Sequence, residues 1–92
     1  MIAQTTLGDI QINNNQDREI IREILYENSY GIDTRIKLEG KVLDIGAHIG
    51  IFSRLALSRG CEVISVEPED RNFERLKENA PGAKLIKKAV TN

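Results

Sequence analysis

The chain holds a single cysteine, Cys61, and a single histidine, His48. An internal disulfide is therefore excluded, and so is a metal cluster built from Cys and His. Cys61 opens an apolar run, which suits a buried structural thiol better than a nucleophile. An excess of either charge is missing as well: 13 basic residues stand against 14 acidic ones among 92, for a net charge of -1. Such a balance produces no field that would draw in nucleic acid or an anionic membrane. No apolar run approaches the roughly 18 residues needed to span a bilayer, and Met1 to Thr6 lacks the basic and apolar regions of a leader. The expectation from these absences is a cytoplasmic, soluble protein without a metal, short enough to form one compact unit.

What is present is a regular succession of short elements. Thr5 to Ile12 alternates around Gly8-Asp9, which predicts a hairpin whose two-residue turn begins with glycine. From Asp17 to about Asn28, Ile20, Ile21, Ile24 and Leu25 mark one face of an amphipathic helix, with Asn15 or Asp17 to cap it and Gly31 to stop it. Lys41 to Ile45 reads as a short buried strand, and Ile51 to Ser58 as a helix ended by Gly60. Cys61 to Glu67 is β-branched and stops at Pro68, which cannot donate to a continuing ladder. Asp70 can cap a helix from Arg71 to about Asn79 with Phe73, Leu76 and the Lys77 stem inward, and Pro81-Gly82 breaks it before a third strand, Lys84 to Val90. The fold class that follows is α/β: a partial doubly wound, Rossmann-like βαβαβ parallel sheet in strand order 3-2-1, preceded by a hairpin and helix. Residues 1–40 form the leading hairpin and helix, and residues 41–92 the ligand-binding half of the sheet.

The turn between the first two of these parallel strands carries the chemistry. Its order is Asp44-x-Gly46-x-x-x-Gly50, with Ala47 and His48 between the glycines. Gly46 allows a tight turn close to a ligand, and Gly50 allows the next helix to pack close to the strand before it. A dinucleotide loop instead reads Gly-x-Gly-x-x-Gly and cradles a pyrophosphate. Here the middle glycine is missing and an acid precedes the turn, where it repels a diphosphate and favours an ammonium or sulfonium. Glu67 ends the following strand, at the place where an acid accepts hydrogen bonds from both hydroxyls of a ribose. Such bonds to a charged acceptor contribute roughly 1.5 to 3 kcal/mol. The adenine ring belongs between Pro68 and the end of the third strand, near Ala89, Val90 and Thr91. The ligand these features select is S-adenosylmethionine (SAM), with His48 near its amino-acid end or its entrance.

The run Val42 to Ser53, the segment Val63 to Pro68, the helix Asn72 to Asn79 and the strand Leu85 to Val90 together resemble the N-terminal half of FkbM-type methyltransferases. The leading helix from Asp17 is similar to the one before that family's first strand. The resemblance implies that Asp44, Gly46 and Gly50 form the SAM loop, that Glu67 is the ribose acid, and that Ala89 and Val90 line the adenine. His48 stands where the family usually carries asparagine. It also implies methyl transfer to an unknown acceptor, most often to an oxygen, with further strands and a substrate cap that have no counterpart here. No residue is identified as the catalytic base. A non-catalytic SAM-binding or interaction module derived from such an enzyme is the alternative. The strand Lys41 to Ile45 is left as an unpaired edge, so the expected partner is a second copy joined strand to strand, or else the leading hairpin folds across that edge.

Overall fold

The computed structural model describes residues 1–26 and 40–89. Strands β1 (Ile2–Thr5) and β2 (Gly8–Gln11) pair antiparallel, with Ala3 opposite Ile10 and Thr5 opposite Gly8. The turn lies at Thr6-Leu7, two residues before the expected Gly8-Asp9. Gly8 at φ 93 is the left-handed residue that follows the turn rather than its first corner. Thr5 closes the turn from its side chain: Oγ1 accepts the Leu7 amide at 3.0 Å and donates to the Gly8 carbonyl at 2.8 Å.

Helix α1 (Gln16–Ile21) runs directly into a π-helical turn, Arg22–Tyr26. Its start is a reciprocal cap built one residue earlier than expected. Asn14 Oδ1 accepts the Asp17 amide at 3.2 Å, and Asp17 Oδ2 accepts the amides of Asn13 and Asn14 at 2.8 and 3.4 Å. Asn15 makes no side-chain cap. The expected helix end near Asn28 and its stop at Gly31 lie outside the described residues.

Strands β3 (Lys41–Ile45), β4 (Glu62–Val66) and β5 (Lys84–Ile86) form a parallel sheet in the order β3-β4-β5, as the sequence predicts. Helix α2 (Ile51–Ser58) joins β3 to β4 and helix α3 (Asp70–Asn79) joins β4 to β5. Glu69, not Asp70, caps α3, accepting the amides of Arg71 and Asn72 at 3.1 and 2.8 Å. Strand β5 ends four residues before Val90, and Val90 itself is outside the described residues. Cys61 is buried, whereas Lys77 is exposed, its ammonium beside Glu74 and 5.8 Å from the Phe73 ring centroid.

The core lies on one side of the sheet. Ile10 and Ile12 of the hairpin, Ile21 and Ile24, and Ile49, Ile51 and Leu55 pack into one cluster, so the hairpin docks on the helical layer and does not fold across the β3 edge. On the opposite face Leu43, Ile45 and Ile64 remain 60%, 57% and 38% exposed. Parallel strands are normally covered on both faces; on this one these three side chains stand largely open.

Candidate functional site

The carboxyl ends of β3 and β4 converge on the loop Gly46–Gly50. Val66, the last residue of β4, accepts two of its amides, Gly46 at 2.9 Å and Ala47 at 3.0 Å, and Gly50 donates to the Ala47 carbonyl at 2.9 Å. Gly46, His48 and Gly50 are all left-handed, at φ 70, 56 and 92. A non-glycine residue pays about 1–2 kcal/mol for that conformation, so His48 is held there by what surrounds it. Buried Ala47 and Ile49 anchor either side, and the His48 amide donates to Glu67 Oε1 at 2.8 Å.

The two glycines act differently. A Cβ on Gly50 would lie 2.8 Å from Leu76 Cδ1 and 3.4 Å from Leu76 Cα, so this glycine admits α3 rather than the preceding strand. A Cβ on Gly46 would meet nothing within 4 Å, which leaves that side of the loop open.

Asp44 is half-buried and points toward α2. Its Oδ2 accepts the Ser53 hydroxyl at 2.7 Å, and Ser53 Oγ lies 2.5 Å from Ser65 Oγ on β4. Burial pushes the Asp44 carboxyl up from its ordinary value; the Ser53 hydroxyl and the nearby His48 pull it back, and the Glu67 charge adds to the rise. Beside it opens a cavity of about 450 Å³ whose walls include Ile20, Ile24, Leu43, Ile45, Ile51 and Phe52. Its lining also includes Asp44, Gly46, Ala47 and His48, so four of the sequence-derived residues meet at one space. Ile24 reaches that wall from the π-helical turn, a geometry often found at functional sites.

The remaining sequence-derived residues lie elsewhere. Gly50 is behind the loop, against α3. Glu67 stands at the end of β4 but is only 4% exposed, its two oxygens holding the amides of His48 and, at 3.1 Å, Glu69. Pro68 is exposed beside it, and Ala89 is exposed beyond the end of β5. The sequence alone does not single out Asn79. Buried at the end of α3, it receives the Gln11 amide at 2.7 Å and donates to the carbonyls of Gln11 and Ile49 at 2.8 and 2.7 Å, tying hairpin, glycine loop and helix together. The only sequence signal was an asparagine where a helix ends, which local capping already explains.

A parallel sheet with an acid and glycine loop at its carboxyl end defines a partial Rossmann-like α/β fold. Among solved structures, the chain is similar to the PH0226 protein from Pyrococcus horikoshii OT3, at 25% identity and a TM-score of 0.54 over 86% of this chain and 35% of that one. It is also similar in fold to a TehB-like SAM-dependent methyltransferase from Corynebacterium glutamicum, at 15% identity and a TM-score of 0.53 over 84% of this chain and 47% of that one. The chain thus spans 35% and 47% of the length of these two neighbours. No family model and no curated protein matches the sequence.

Proposed function

We propose that the chain is the cofactor-binding half of an FkbM-type, SAM-dependent methyltransferase acting on an oxygen. The observation that carries this reading is the pairing of an apolar cavity with one half-buried carboxylate, Asp44, beside a loop in which four of the five amides are already engaged. Gly46 and Ala47 give their N–H groups to Val66, His48 to Glu67 and Gly50 to Ala47. A diphosphate would find those donors engaged and a carboxylate in its way. A sulfonium or ammonium finds an acceptor, and the apolar walls suit a thioether and methylene chain. Bound there, SAM would supply an electrophilic methyl group. The chain's own residues would bind and orient it: Asp44 at the cationic end, the open side of Gly46 along its length and His48 at the entrance.

The ribose contact belongs to Glu67. Because its oxygens hold two backbone amides, pairing with ribose hydroxyls uses their remaining lone pairs or a turn of the side chain away from the loop. The adenine contacts are assigned to Pro68, Ala89 and Val90. Isothermal titration with S-adenosylhomocysteine tests the reading: saturable binding supports it, and a flat titration refutes it. Transfer of a tritiated methyl group to candidate acceptors distinguishes the enzyme from a module that binds without transfer.

The position of β3 as an outer strand, paired only with β4 among the described residues, supports a second element of the reading, a homodimer in which two β3 edges pair and complete the sheet. Light scattering over a range of concentrations decides between that dimer and a monomer.

A further inference from the structure

Ser53 and Ser65 are both fully buried, one on α2 and the other on β4, and together with Asp44 they form an unbroken line of oxygen atoms. A serine has one hydroxyl proton. Ser53 commits its proton to Asp44 Oδ2, so the 2.5 Å contact between the serines requires Ser65 to donate to Ser53. Proton order therefore runs Ser65 to Ser53 to Asp44 and ends on an ionised carboxylate. Cooperative polarisation along such a chain strengthens its last bond. Oδ2 is fixed against α2, and among the described residues Oδ1 has no hydrogen-bond partner, leaving it for the cavity that Asp44 lines.

We propose that Ser53 and Ser65 are positioning residues whose ordered hydroxyl chain pins one oxygen of Asp44 and holds the other, charged, toward a cationic ligand. The ligand clause rests on the SAM reading above; the pinning does not. Among the described residues, the groups facing Asp44 are few. The loop presents His48, β4 presents Ser65 with Glu67 at its end, α2 presents Ser53, and the helical wall across the cavity contributes the apolar Ile20 and Ile24. Protonation of Asp44 at its free Oδ1 withdraws the negative charge from the cavity, while Oδ2 can go on accepting from Ser53.

Two measurements on the wild-type chain, Ser53→Ala and Ser65→Ala separate these parts. The first is a carbon-13 titration of the Asp44 carboxyl without ligand. Ser53→Ala removes a donor that favours the charged form, so the midpoint moves to higher pH; Ser65→Ala, which keeps the bond to Asp44, moves it the same way by less. The second is S-adenosylhomocysteine affinity across pH. Loss of a charge-assisted bond corresponds to about a 10-fold weakening in Ser53→Ala, and the acid-side fall in affinity begins at higher pH. Unchanged carbon-13 midpoints in both variants would overturn the proposal. Midpoints that move in a chain that binds no S-adenosylhomocysteine would overturn the ligand reading and leave the pinning standing.

Discussion

Asp44 is asked to be both charged and half-buried, and its neighbours decide which demand prevails. Its carboxyl is raised by burial, so the folded chain holds that proton more tightly than the unfolded chain does. The stability linked to this group is therefore full below the unfolded carboxylate pKa and declines as pH rises through the higher folded value. Asp44→Asn removes that decline, and denaturant unfolding between pH 4 and 7 is expected to show a flatter profile with higher stability at neutral pH. The same substitution should weaken S-adenosylhomocysteine binding by about 10- to 100-fold, the cost of a charged hydrogen bond. His48 offers an opposite test, of strain. His48→Gly keeps the amide that Glu67 accepts while relieving a left-handed side chain, so chemical denaturation is expected to show a gain of about 0.5–1 kcal/mol.

Helices and strands are tied here by few residues. Asn79→Ala strands the Gln11 amide and the Ile49 carbonyl, and a loss of about 2–4 kcal/mol is expected in urea unfolding. The two loop glycines should separate in the same assay. Gly50→Ala drives a Cβ into Leu76 and costs more than Gly46→Ala, which carries only the left-handed penalty of about 1–2 kcal/mol. These contrasts also mark what could be read from the chain. Strand β3 and helix α2 fall where an apolar run, two glycines and a helical period place them, because those signals are local, but β3 is not the buried strand expected, since its burial depends on neighbours the run does not specify. The hairpin turn shifted by two residues because glycine serves equally as a turn corner or as the left-handed residue after one. The cap of α3 moved to Glu69 because adjacent acids compete for the same amides. Asn79 was illegible because its partner Gln11 lies 68 residues away in sequence. The inward turn of Glu67 was hidden similarly: a strand-end acid announces its place but not which donors it meets.

At the scale of the whole molecule, one layer is well packed and the other open. Helices and hairpin share a core on one side of the sheet, while Leu43, Ile45 and Ile64 face outward on the other. If β3 edges pair between copies, Ile45→Lys should abolish concentration-dependent mass in light scattering and change monomer stability by no more than about 0.5 kcal/mol, as expected for a side chain already 57% exposed. Among the described residues no helix is long and apolar enough to cross a membrane. The most direct test of the proposed SAM site is calorimetric titration of the wild-type chain and of Asp44→Asn with S-adenosylhomocysteine at neutral pH. Saturable heat in the wild type that is sharply weakened in the variant is the predicted result; no saturable heat from a folded wild-type chain, or identical affinity in both, would contradict it.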